Sequence, residues 1–240
     1  MKFFRQYKRH LLYKIKSKTN IDLDQKSNSN SLEDLFNYYG SDKDGHGYTK
    51  FYEKYFSPLK NKFLNILEIG SYSGASAASF TKYFPNSKIF CVDINISNFK
   101  FLSKRIKVFG LDATNKKMVN NFFKKINISN EEIFFDIIID DASHKLSDML
   151  FLLNTLFKNL KPNGYYVIED YKFPNFFKHL DNDEELKIDD LIDKINQKKE
   201  IKSKILGEDI KKVFKSDPIS INSHQGSSKG AAIVFFKKLN

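Results

Sequence analysis

The informative pattern along this chain is a series of short, almost uninterrupted apolar runs separated by segments with helical spacing. Asn65-Ile66-Leu67-Glu68-Ile69, Lys88-Ile89-Phe90-Cys91-Val92-Asp93, Ile106-Lys107-Val108-Phe109, the run from Phe134 to Ile139 and Tyr165-Tyr166-Val167-Ile168 have the length and composition of strands. Ala75 to Phe84, Lys116 to Lys125 and Ser147 to Leu160 fit helices between them. Alternating strands and helices imply a parallel sheet with helices on both faces, and near-continuous apolar runs are what doubly covered strands look like.

The flanks are less regular. Residues 1 to 60 read as polar and mostly helical, with a loop over Thr19 to Ser31, a short helix from Leu32 capped by Ser31, and an ordered glycine-bearing loop from Gly40 to Gly47. Beyond residue 171, a charged, helix-prone stretch runs from Asp181 to Lys204. Two candidate strands follow, Lys211 to Phe214 and Ala231 to Phe236, punctuated by Gly226-Ser227-Ser228-Lys229-Gly230. The expected organisation is an N-terminal region over 1–60 and an α/β domain over 61–240.

Composition refines this picture modestly. A chain of 240 residues buries roughly three quarters of its unfolded surface, enough for a real core. The single cysteine, Cys91, excludes an intramolecular disulfide, fits a reducing cytoplasm and lies in an apolar run, as a small core residue would. The net charge of +11 comes with a general abundance of Lys, Asn, Ile and Phe, so it is discounted as a sign of nucleic acid. A basic surface still favours anionic partners. No segment has the ~20 apolar residues of a transmembrane helix. A helix over Met1 to Lys18 would be amphipathic, suited either to packing on the domain or a partner subunit or to resting on an anionic membrane. Its interrupting charges do not make a signal-peptide core. The expected location is cytoplasmic, peripheral at the inner membrane face if that helix meets lipid.

Candidate chemistry lies where the strands end, because ligands of open parallel sheets bind beyond the carboxyl ends. The first strand runs into Glu68-Ile69-Gly70-Ser71-Tyr72-Ser73-Gly74, where glycines permit a tight turn and close approach to a ligand. Tyr72 stands where a dinucleotide fingerprint would need glycine. Asp93 ends the second strand and is placed to accept from two ribose hydroxyls, or to serve as a turn residue. Asp140-Asp141-Ala142-Ser143-His144 follows the fourth strand, and Glu169-Asp170 the fifth. Asp141, Glu169 and Asp170 would converge and could hold Mg²⁺ or a similar oxygen-preferring ion. Such an ion would lower the pKa of a substrate hydroxyl, and His144 could remove the proton. Each residue also has a plain structural use, as a helix cap, a solvent-facing acid or a hydrogen-bonded core histidine.

The E-x-G-x-x-x-G turn resembles the first motif of class I S-adenosylmethionine-dependent methyltransferases. Together with Ser41-Asp42-Lys43, His46-Gly47-Tyr48, Asp140 to His144 and Val167 to Asp170, it resembles the metal-dependent O-methyltransferases of macrolide sugars and their rhamnosyl relatives, over about residues 36 to 171. The resemblance implies a Rossmann-like, mostly parallel seven-stranded sheet. It implies an S-adenosylmethionine site lined by Glu68, Gly70, Ser73, Gly74, Asp93 and Asp112, with Asp112 along the adenine. Asp141, Glu169 and Asp170 would bind Mg²⁺ and His144 would be the general base. The loop around Ser41, Lys43 and Tyr48 would close over cofactor or substrate. Ala142 stands where the family often has glycine, and the N-terminal region is much shorter than in the macrolide enzymes.

The implied activity is O-methylation of a sugar hydroxyl in a glycan, nucleotide-sugar or glycosylated metabolite, by a homo-oligomer that does not bind nucleic acid. Two alternatives stand beside it. A nucleic-acid or other small-molecule methyltransferase is one, but amino-methylating enzymes carry an Asn/Asp-Pro-Pro-aromatic motif that Asp140-Asp141-Ala142-Ser143 does not match. A non-catalytic cofactor-binding subunit of a glycan assembly complex is the other, and it would have no need of the acids and His144.

Overall fold

The computed structural model describes residues 18–25, 31–127, 133–182, 185–216 and 219–239. The expected amphipathic helix over Met1 to Lys18 falls almost wholly outside them. In chain order the elements are β1 (Thr19–Asn20), α1 (Leu32–Tyr39), α2 (Thr49–Phe56), β2 (Asn65–Ile69), α3 (Ala75–Tyr83), β3 (Lys88–Asp93), β4 (Phe101–Leu102), β5 (Ile106–Gly110), α4 (Lys116–Ile126), β6 (Phe135–Asp140), α5 (Leu146–Leu156), β7 (Leu160–Ile168), α6 (Phe173–Phe176), α7 (Ile188–Asn196), α8 (Glu208–Ser216), β8 (Ile219–Gln225) and β9 (Ala232–Lys238).

Seven strands form one sheet in the order β5-β3-β2-β6-β7-β9-β8. The first five are parallel; β9 runs antiparallel to β7 and closes a hairpin with β8. The expected mostly parallel, doubly covered sheet is therefore present. Side chains alternate along each strand, so the sheet feeds two apolar layers. Leu67, Phe90, Ile138, Tyr166 and Val234 face a layer completed by α4, α5, α7 and α8. Ile66, Ile89, Cys91, Ile137, Val167 and Phe235 face a layer completed by α1, α2 and α3. The N-terminal helices thus share a core with the sheet.

Local sequence explains the elements that carry the site. Leu32, Leu35, Phe36 and Tyr39 recur at helical spacing and are buried. Ser31 caps α1 by accepting from the Asp34 amide at 3.2 Å, and Gly40 ends it in the left-handed conformation at φ +77°. In α2, Thr49, Tyr52 and Phe56 form the buried stripe.

The last third departs from the expectation. Lys211 to Phe214 is not a strand but part of α8, because Ile210 and Phe214, four residues apart, bury one helical face. The strand beside β9 is Ile219–Gln225 instead. Of the stretch from Asp181 to Lys204, the regular α-helix is Ile188–Asn196, where Ile188, Leu191, Ile192 and Ile195 pack inward. Thr19–Asn20, expected as loop, pairs with Phe101–Leu102. Among the described residues, no helix is long and apolar enough to cross a membrane.

Candidate active site

The chain winds from β2 to β3 and β5 on one side and to β6 and β7 on the other, so the strand order reverses between β2 and β6. That reversal opens a crevice beyond the carboxyl ends. Gly70 follows β2 at φ +88°, and a Cβ there would stand 1.9 Å from the Asp141 carbonyl oxygen, so only glycine lets the two chain segments approach. The Asp141 amide donates to the Ile69 carbonyl at 3.0 Å.

A cavity of about 510 Å³ opens at this point, with Gly70, Tyr72, Asp93, Ile94, Asp112 and Asp141 among its lining residues. Asp93 ends β3; its Oδ2 accepts from the Tyr72 amide at 2.8 Å and its Oδ1 from the Asn95 amide at 2.7 Å. Each carboxylate oxygen has capacity for a further donor, as a vicinal diol requires. Asp112 Oδ1 accepts from the amide and hydroxyl of Thr114, at 2.9 and 2.7 Å, closing the turn before α4. Glu68 is buried next to this crevice. Ser76 donates to its Oε1 at 2.5 Å, while Oε2 has no hydrogen-bond partner among the described residues. Burial pushes its carboxyl above the ordinary value, and a buried oxygen in this state is one that a ligand's donor would satisfy. Of the residues expected at the cofactor, Ser41, Tyr48, Glu68, Ser73 and Gly74 do not line the cavity.

At its edge the acids gather. Asp141, His144 and Asp170 each offer a ligand atom, and these atoms lie within 4.8 Å of one another. His144 Nε2 is 3.9 Å from both Asp141 Oδ1 and Asp170 Oδ2. The Phe173 ring stands edge-on to His144 at 5.3 Å and backs the imidazole. Tyr72, His144 and Asp170 adopt positive φ, at 39°, 55° and 51°, three of the five such non-glycine positions among the described residues, the others being Asn163 and Lys198. Strained non-glycine conformations concentrate at functional sites.

Glu169 points elsewhere. Its Oε1 accepts from the Lys43 ammonium at 2.6 Å and from the Tyr52 hydroxyl. The same ammonium lies 2.8 Å from Asp141 Oδ2 and 3.7 Å from Glu68 Oε1, and Lys43 is only 1% exposed. Tyr48 donates to Asp170 Oδ1 at 2.6 Å, and His46 Nδ1 stands 3.6 Å from Asp170 Oδ2. The 41–48 loop thus delivers cationic and hydroxyl donors onto the strand-end acids, and α2 continues the set with Tyr52. The loop is held by internal turns, with the Tyr48 amide donating to the Lys43 carbonyl at 2.9 Å. It is held from outside by Ser227, whose amide donates to the His46 carbonyl at 2.8 Å and whose hydroxyl donates to the Gly45 carbonyl at 2.7 Å.

These contacts set the protonation behaviour. Burial and the neighbouring charge of Asp141 push Glu169 up to about 8, against the opposing pull of Lys43 and Tyr52. Burial also works to raise Asp170, but His46, Tyr48 and the charge of His144 outweigh it and hold that carboxyl below the usual range. The contact with Asp170 raises His46. Burial works to lower Lys43, yet the charges of Asp141, Glu169 and Glu68 keep it well above the ordinary value. Asp141 and Asp170 offer hard oxygen donors of the kind that fit a hard divalent cation, and the His144 nitrogen stands beside them.

Among the residues expected from sequence, Asp93, Asp112, Gly70, Asp141, His144 and Asp170 come together at the crevice. Sequence reasoning did not single out Tyr52, or His46 as a partner of Asp170. The one local signal was that both share a glycine- and tyrosine-rich segment with Lys43 and Tyr48.

Residues 67–171 match a family model described as a methyltransferase domain. The chain superposes on the structure described as "MycE Methyltransferase from the Mycinamycin Biosynthetic Pathway in Complex with Mg, SAH, and Mycinamycin VI", with a TM-score of 0.65 at 23% identity, covering 88% of this chain and 54% of that one. The fold is that of the class I methyltransferases. Among curated relatives, an 8-demethyl-8-alpha-L-rhamnosyl tetracenomycin-C 2'-O-methyltransferase from Streptomyces olivaceus is 30% identical over 156 residues, 60% of this chain and 39% of the relative. An L-olivosyl-oleandolide 3-O-methyltransferase from Streptomyces antibioticus is 33% identical over 162 residues, 63% of this chain and 40% of the relative. The matched region thus spans about two fifths of the length of these relatives. The resemblance to sugar O-methyltransferases drawn from the motifs therefore stands on alignment as well.

Proposed function

We propose that this chain is an S-adenosylmethionine-dependent, divalent-metal-assisted O-methyltransferase whose acceptor is a sugar hydroxyl of a glycan, nucleotide-sugar or glycosylated metabolite. The observation that carries this reading is the gathering of Asp141, His144 and Asp170 within 4.8 Å beside a cavity lined by Gly70, Asp93 and Asp112. The names of the curated relatives, which are O-methyltransferases of glycosylated compounds, support the acceptor class. The Mg and SAH bound to the MycE structure support the metal and the methyl donor.

In this reading Asp93 accepts from the ribose hydroxyls, Asp112 lies along the adenine, and the turn at Gly70 lets the backbone approach the cofactor. Asp141 and Asp170 would hold the ion, and Glu169, here bound to Lys43 and Tyr52, would be a third carboxylate. When bound, the ion supplies Lewis acidity that lowers the pKa of an acceptor hydroxyl. His144 takes the proton as the acceptor O–H bond breaks, and the oxygen lone pair forms the new O–CH₃ bond. The sulfonium S–CH₃ bond breaks and its electron pair stays on sulfur, leaving S-adenosylhomocysteine. His144 then returns its proton to water. The chain's contribution is alignment of an in-line displacement and removal of one proton.

Calorimetric titration with S-adenosylhomocysteine, followed by a methylation assay against a panel of sugars with and without chelator, tests this reading. Cofactor binding and chelator-sensitive methyl transfer to a sugar oxygen are expected. Absence of cofactor binding, or full activity in chelator, would overturn the corresponding part.

A further inference from the structure

Among the described residues Lys43 is the buried cation, and the proposed chemistry leaves it unused. It lies in the loop after α1, far in sequence from the acids it meets, yet its ammonium touches residues at the ends of three adjacent strands, β2, β6 and β7. Asp141 is shared. Its Oδ2 faces Lys43 at 2.8 Å, while its Oδ1 faces the group formed with His144 and Asp170. Two cation positions therefore adjoin across one carboxylate.

We propose that Lys43 is a resident cation that holds the acidic site together before a divalent ion arrives and releases carboxylate oxygens when one binds. This rests on the metal reading above. Glu68, Glu169 and Asp170 are buried, and Asp141 adjoins them. Ionising buried acids without a counter-charge is expensive, and Lys43 supplies that charge through direct contacts at 2.6 and 2.8 Å. A lysine suits the role because its ammonium is a compact charge on a flexible stem, able to shift as its partners turn to another cation. The same charge repels an arriving divalent ion. Lys43 thus keeps the metal-free protein folded and the metal weakly held, and Glu169 is drawn to the ion only at the expense of its contact with Lys43.

The test is the full-length Lys43→Met protein, titrated with Mn²⁺ by calorimetry and melted in chelator and in Mg²⁺. The expected result is metal binding at least about tenfold tighter than wild type, or about 1.4 kcal/mol. The melting temperature in chelator is expected to fall by roughly 5 °C or more, as for an uncompensated buried charge in a domain of this size, and Mg²⁺ should recover most of it. Metal binding that is unchanged or weaker in Lys43→Met overturns the proposal. If that variant does not fold, the comparison moves to Glu169→Gln, where the missing acid offsets the missing cation. Lys43→Met with Glu169→Gln must bind Mn²⁺ tighter than Glu169→Gln alone, and equal or weaker binding overturns the proposal. Wild-type protein that binds S-adenosylhomocysteine but gives no heat with Mn²⁺ or Mg²⁺ overturns the metal reading and this inference together. That result is distinct from failure of the inference alone, in which wild type binds the metal normally.

Discussion

Replacing Tyr48 by phenylalanine removes one hydroxyl from the link between the N-terminal loop and the strand-end acids. Tyr48 and Asp170 are both buried, and the hydroxyl donates to Asp170 Oδ1 at 2.6 Å. The ring, which packs edge-on against His46 at 5.6 Å, is kept. A hydrogen bond to a charged acceptor contributes about 1.5–3 kcal/mol, and its loss leaves a buried carboxylate oxygen short of a donor. At about 2–4 °C per kcal/mol for a domain of this length, the melting temperature should fall by roughly 3–12 °C at neutral pH in chelator. The sign of the pH dependence follows from Asp170. Burial works to raise its carboxyl, but its donors and the nearby histidine charges win and hold it below 3.8. Stability from those contacts is present above the unfolded value and is lost as pH falls through the folded one. Tyr48→Phe removes part of that stability, so the gap from wild type is full at neutral pH and narrows as the solution is acidified below about pH 4. Circular dichroism melts across that range provide the measurement. Melting temperatures equal within about 1 °C at neutral pH, or a gap that widens on acidification, would refute the reasoning.

Other expectations follow from the same geometry. His144→Ala should bind S-adenosylhomocysteine with unchanged affinity while losing about 10²–10⁴ in turnover; a loss of binding instead would make the residue structural. Gly70→Ala, forced to a φ of +88° with its Cβ 1.9 Å from the Asp141 carbonyl oxygen, should lose stability and cofactor binding together, by roughly 3 kcal/mol in denaturant unfolding. Glu169, pushed up from 4.5 to about 8, binds its proton more tightly folded than unfolded, so metal-free wild type should lose stability as pH rises across that interval. Glu169→Gln should flatten that decline in chelator melts, and an unchanged slope would count against it. Ser31→Ala removes the cap on α1 and should cost about 1 kcal/mol by urea unfolding, with little effect on cofactor affinity.

Most of the sheet was legible from the chain because buried parallel strands need long apolar runs, and β2, β3, β5 and β6 begin and end within a residue of where those runs do. The last third was harder. Ile210, Val213 and Phe214 sit among lysines, and so short an apolar cluster fits a strand or one face of a helix equally well until the core it packs against is known. The acids at the strand ends were legible for a related reason: polar residues that close an apolar run mark the edge of the sheet, where topology alone creates a crevice.

What the sequence by itself determined is therefore the α/β alternation, the glycine turn after β2, and a set of strand-end candidates, of which Asp141, His144 and Asp170 gather while Glu169, expected with them, does not. Only the tertiary structure decided how those acids are shared. Lys43 is 98 residues from Asp141 and 126 from Glu169 in sequence, and Tyr48 is 122 from Asp170. No local pattern encodes such pairings. They arise because α1 and α2 bury their apolar faces against the sheet, and that packing places the loop between them over the carboxyl ends of β2, β6 and β7. Packing also turned Glu169 toward Lys43 and Tyr52 and left Asp141 and Asp170 facing His144. Neighbours on one strand end have opposite surroundings because successive residues point in different directions.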